Sequence, residues 1–195
     1  MSSRDDILAR VRTNQPPPQP LPPVPTFDTA TGSALERFKA ALIGMGGKFA
    51  DAPADGDLDA LVRRMFPDAK VICSATPEVV GNRLLDQVRR PVELSDVDVG
   101  VVRAVYAVAE TGSVWITDAQ FQVNTLGFLS QHLVVLLDAS RIVENLHHAY
   151  RAREQFDARY GVFMTGPSAT ADIEGVLIHG AQGIRTLTVV ALPTR

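Results

Sequence analysis

Three carboxylates and three glycine-bearing turns are the residues of this chain best placed to do chemistry. Glu110 sits in "AVAETGSVWI", flanked by Ala107, Val108, Ala109, Val114 and Trp115. A carboxylate buried among such neighbours is costly unless paired, and its pKa then rises into a range useful for an acid, base or nucleophile. The competing reading places Glu110 at a strand end, where it accepts N–H bonds from the Thr111–Ser113 turn. The second stretch is "TGPSATADIE", residues 165–174. If a strand ends here and a helix begins, Gly166, Ser168 and Thr170 offer backbone donors to an anion. Asp172 and Glu174 stand in that same first turn and would satisfy those donors themselves, and on physical grounds alone self-capping is the simpler reading. The third stretch, "HGAQG" at 179–183, allows a tight bend at Gly180 and Gly183, with Gln182 between them.

Metal and thiol chemistry are poorly served. No spacing among the four histidines matches a zinc motif. His147 and His148 are helix neighbours and face different directions. The single cysteine, Cys73, lies in "KVICSA", an apolar run that reads as a buried strand and an inert thiol. No bound metal or cofactor is expected on this chain.

The elements that must position these residues follow from punctuation and periodicity. Residues 3–12 read as a short helix capped by Ser3, with Ile7, Leu8 and Val11 on one face. In "TNQPPPQPLPPVPT", residues 13–26, seven of fourteen residues are proline, which makes an extended spacer. The first 26 residues are thus expected to form an arm and linker, and 27–195 the body. Within the body, "SALERFKAALIGMGG" reads as a helix with a Ser33–Glu36 capping box and a glycine stop. "DLDALVRRMF" reads as a second helix, "TPEVVGNRLLDQV" as a third with Thr76 as cap, and "RIVENLHHAYRAREQF" as a long fourth one started by Ser140. "AKVICSA", "HLVVLLD", "YGVFMT" and "TLTVVAL" are apolar strands, and "VYAVAETGSVWIT" folds back at Thr111-Gly112 as a hairpin. Strands without alternation, separated by helices, imply a three-layer α/β domain whose mostly parallel sheet is covered on both faces.

Composition agrees with a folded domain. The 195 residues are 46% hydrophobic and 21% charged, with a net charge of −3. That balance gives no basic face for nucleic acid. No apolar run reaches the ~18 residues that a membrane span needs, and "MSSRDDILAR" lacks the apolar centre of a secretion signal, so a cytoplasmic location is expected.

Taken in order, "AETGSVWI", "QHLVVLLD", "TGPSATADIE" and "IHGAQGIRTLTVVAL" resemble the LUD-domain family, which includes the lactate-utilization protein C proteins. The resemblance runs over roughly residues 35–192. It implies a fold related to the sugar-phosphate isomerase and CoA-transferase superfamily, and a part in oxidising L-lactate to pyruvate beside separate iron–sulfur subunits. On that resemblance Glu110 and Asp172 are catalytic candidates. Thr111, Gly112, Gly166, Ser168, Thr170, Glu174, Gly180, Gln182 and Gly183 are candidates to bind a small anionic ligand. Gln182 stands where the family commonly has histidine, which disfavours a histidine-dependent reaction. Two other functions stay open: an isomerase- or CoA-transferase-like enzyme acting through Glu110 on a phosphorylated or CoA-linked substrate, and a non-catalytic module docking through its arm, whether to a partner or to a second copy.

Overall fold

The computed structural model describes residues 2–151, 157–171 and 175–193. It is an α/β protein built on a mostly parallel sheet. In chain order the elements are α1 (Ser3–Thr13), α2 (Ala34–Gly44), β1 (Lys48–Asp51), α3 (Leu58–Met65), β2 (Ile72–Ser74), β3 (Val99–Arg103), β4 (Tyr106–Val108), β5 (Ser113–Thr117), α4 (Asp118–Phe121), α5 (Leu126–Leu129), β6 (His132–Asp138), β7 (Ile142–Val143), α6 (Leu146–Arg151), β8 (Gly161–Met164), β9 (Ala169–Thr170), β10 (Ile178–His179) and β11 (Thr186–Leu192).

Five parallel strands in the order β1-β11-β6-β3-β2 form the central sheet. The two longest, β6 and β11, bury every residue but their ends, which explains why their interiors are apolar except for Thr188. Side-chain alternation splits this sheet between two cores. One face, with Leu133, Val135, Leu137, Leu187 and Val189, packs on Phe38 and Leu42 of α2, on Ile116 of β5 and on Phe121 and Leu126. The opposite face, with Val99, Val101, Val134, Leu136 and Val190, packs on Leu58 and Val62 of α3. Helices therefore cover both faces, as expected.

The first face also carries a second sheet, of order β7-β4-β5-β8. The "VYAVAETGSVWIT" hairpin is its centre, with Tyr106 opposite Trp115. "GVFM" joins it as β8, antiparallel to β5, and is not a strand of the parallel sheet.

Two expected helices give way to long-range contacts. Residues 76–88 form no α-helix, only a short turn of 3-10 helix at Leu85–Gln87. Asn82 instead bonds the β2 edge, accepting from Ile72 N and donating to Lys70 O, and Gly81 lies so close that a Cβ there would be 2.6 Å from Ile72 O. The Thr76-Pro77 start signal is outweighed by these contacts to the sheet. Likewise Ile142–Val143 pair with Ala107–Val108, so the helix expected from Ser140 begins only at Leu146, where Asn145 Oδ1 accepts from His148 N. Its expected continuation through 152–156 lies outside the described residues. Caps shift too. Ser2 caps α1 in place of Ser3, and Ser33 makes no cap bond while Glu36 pairs with Lys39.

Helix α1 buries no residue. The chain regains the body at residues 24–28: Arg151 donates to Val24 O, Asn145 to Thr26 O, and His148 meets Asp28.

Cys73 is fully buried, and burial pushes its thiol up to about 11. Native protein should therefore resist alkylation that denatured protein undergoes at once, and rapid labelling of the folded chain would contradict a stable β2.

Candidate functional site

The turn after β8 is anchored before it can bind anything. Gly166 has φ +65, and a Cβ there would lie 2.2 Å from Met45 O at the end of α2. Gly112 has φ +67, and a Cβ there would be 2.3 Å from Leu42 N. Both motif glycines thus let a turn rest directly on the α2 backbone. The two turns also communicate through hydroxyls: Thr111 Oγ1 is 2.7 Å from Ser113 Oγ, which in turn hydrogen-bonds Thr165.

Beyond Thr165 lies a cavity of about 250 Å³. Val162, Met164, Phe128 and Ile184 give it apolar walls; Thr165, Gly166, Ser168, Gln182 and Gly183 supply its polar side. Among the described residues no ionisable side chain lines it. Four of the residues expected to bind ligand, Gly166, Ser168, Gln182 and Gly183, therefore meet here from two separate stretches of sequence. Phe128 and Thr165 were not among the expected residues. Only proximity in the fold reveals them.

The other candidates lie elsewhere. Glu110 is exposed, and its carboxylate accepts from Leu146 N at 3.1 Å, capping α6. Neither it nor Thr111 or Gly112 lines the cavity. The bond comes from α6, where the sequence pointed to the Thr111–Ser113 turn. The "GPSAT" turn leads into a strand where a helix was expected. Ala169–Thr170 pairs with Ile178–His179 as a small antiparallel hairpin. The Ser168 N–H, expected to face an anion, donates to Ile184 O at 2.9 Å, and Gly180 N donates to Ser168 O. Gly180 packs against Arg185, where a Cβ would be 3.1 Å from the Arg185 Cα. Asp172 and Glu174 lie outside the described residues.

At the carboxyl ends of the strands, where open α/β sheets usually gather ligands, a cavity of about 310 Å³ is lined by Glu78, Arg103, Asp138, Leu192 and Pro193. Its base, Arg103, is already paired with Glu78. Among the described residues no group of three or more His, Cys, Asp or Glu side chains is placed to hold a metal ion, and no helix is long and apolar enough to cross a membrane.

Known proteins resemble this chain in both fold and sequence. A solved structure of a DUF162 family protein from Deinococcus radiodurans has the same fold, with a TM-score of 0.61 at 17% identity, covering 82% of this chain and 96% of that one. The uncharacterized protein YkgG of Escherichia coli strain K12 is 33% identical over 92 residues, 44% of this chain and 39% of its own length. An uncharacterized protein of Neisseria meningitidis serogroup B is 29% identical over 101 residues, 50% of this chain and 43% of its own. The matched stretch thus spans about two fifths of these curated relatives. The LUD domain profile matches residues 85–192, more than half of the chain and the span that holds β3 to β11 with both motif turns; the chain belongs to the LUD domain family.

Proposed function

We propose that this chain is a lactate-utilization protein C-like subunit that takes part in oxidation of L-lactate to pyruvate beside separate iron–sulfur subunits. In this reading the cavity behind Thr165 binds a small monoanionic ligand. The observation that carries it is the convergence of Gly166, Ser168, Gln182 and Gly183 on one cavity of about 250 Å³. Its chemistry suits a short hydroxy acid. Apolar walls accept a methyl group, while the Gln182 amide and the Ser168 and Thr165 hydroxyls can bond a hydroxyl and a carboxylate. The described residues place no basic side chain in the lining, so a ligand with two or more charges would be left uncompensated there. The chain has one cysteine, so redox centres belong to the partner subunits.

The alternative enzyme reading needs Glu110 as acid, base or nucleophile. That carboxylate is engaged by the Leu146 N–H, outside the cavity.

Deleting the gene from its host should abolish growth on L-lactate while sparing growth on pyruvate, and the wild-type chain should restore it. Gln182→Ala, at an exposed position, should keep its melting temperature but fail to restore growth. Normal growth of the deletion strain would sink the lactate assignment. Full rescue by Gln182→Ala would remove the cavity from it.

A further inference from the structure

A third cavity, of about 300 Å³, opens at the amino-terminal ends of β3, β6 and β11. Sheet pairing sets its floor. Asp98 stands just before β3, Gln131 just before His132 at the start of β6, and Arg185 just before Thr186 at the start of β11. His132 N donates to Asp98 O at 2.9 Å and Arg185 N to Gln131 O at 2.7 Å, so these positions lie side by side. The loop after α3 makes a wall. There Phe66 stacks on the His132 ring with centroids 4.8 Å apart.

The charged groups of this cavity are unevenly engaged. Asp98 is occupied: its Oδ2 accepts from Lys70 N at 2.7 Å and Val71 N at 2.9 Å, and the Val71 and Lys70 N–H groups hold the carboxyl below its usual range. Arg185 is exposed, and its guanidinium has no hydrogen-bond or ion-pair partner among the described residues. Lys48, at the start of β1, adds a further positive charge. His132 is half-buried, with Nδ1 2.8 Å from Thr186 Oγ1. Burial first, then Arg185 and Lys48, depress its pKa, against the weaker pull of Asp98. Asp68 is the other acid in the lining.

We infer that this cavity binds a small oxyanion, a carboxylate or phosphate group, between the Arg185 guanidinium and the His132 ring. The anion gives the Arg185 guanidinium the hydrogen-bond partner that no described residue supplies. Arg185 offers a planar donor fork that matches either group. His132 adds a second donor once protonated, and its proton is taken up with the anion. Binding is therefore strongest at low pH and weakens as pH rises through the His132 titration in the complex. The cavity is separate from the one behind Thr165, and the inference does not depend on the lactate reading.

The test is histidine NMR on the full chain, titrated with sodium acetate or sodium phosphate against sodium chloride at matched ionic strength. The His132 resonances should shift saturably with an oxyanion and stay put in chloride, and the His132 pKa should rise in the complex. Acetate affinity should fall about tenfold or more in Arg185→Gln, as expected for losing a charge-assisted bond, and return in part with Arg185→Lys. His132→Gln should still bind, but without the pH dependence. Response to acetate alone or phosphate alone supports the site and names the group it prefers. Silence with both, or an Arg185→Gln variant that binds like wild type with an unchanged melting temperature, overturns it.

Discussion

Gly112→Ala should lower the melting temperature on the order of 10 °C, a large loss for adding one methyl group. Two costs add. Alanine at φ +67 pays about 1–2 kcal/mol for the left-handed conformation. The new Cβ would also lie 2.3 Å from Leu42 N and 2.6 Å from Leu42 Cα. Those atoms belong to a helix backbone and cannot swing aside, so overpacking adds about 1–3 kcal/mol. A chain of this size loses roughly 2–4 °C per kcal/mol. Thermal unfolding followed by circular dichroism measures it directly; a loss of only a degree or two would mean that the "AETG" turn does not rest on α2.

Leu42→Ala should cost about 2–5 kcal/mol, because the side chain is fully buried and its removal opens a cavity. Leu42 lies between α2 and the central sheet, and its Cδ1 would be 2.3 Å from a Cβ on Gly47. The combined variant is more telling. The Gly112 clash is with the Leu42 backbone, so trimming the Leu42 side chain relieves nothing. Gly112→Ala with Leu42→Ala should be less stable than either single change. Recovery in the double variant would show instead that the hairpin turn presses on the leucine side chain. Denaturant titration of the four proteins, compared as a cycle, decides it.

What could be read from sequence divides along the range of the interactions. β2, β6 and β11 were legible because a strand covered on both faces is apolar at most of its positions, and the hairpin because its turn is local. The helix expected at 76–88 failed where Asn82 and Gly81 spend their chemistry on β2, a contact no local pattern announces. β3 was missed: its "VGVVR" carries a glycine, and Gly100 is there because a Cβ would be 2.5 Å from Ser130 Oγ. In the same way "GPS" and "AQG" announced themselves as turns, and the fold gathers both at one cavity. Glu110 was visible as a carboxylate, but its engagement with Leu146 N depends on where α6 begins. His132, Asp98 and Arg185 come from three distant segments, which only the strand order sets side by side.

The arm has a consequence best stated as a concentration. Residues 24–28 are tied to α6 and its Asn145 cap, α1 buries nothing, and residues 14–23 lie between them. A proline-rich spacer extends by ~3.1 Å per residue, so α1 is held on a semi-rigid leash of roughly 30 Å. It sweeps a shell around the body and never the bulk solution. Tethering of this kind presents a segment to nearby surfaces at a local concentration on the order of millimolar. A contact by Ile7 and Val11 too weak to detect with a free peptide would then be substantially occupied in the intact chain. Lengthening the spacer with flexible residues would dilute it without altering a single contact.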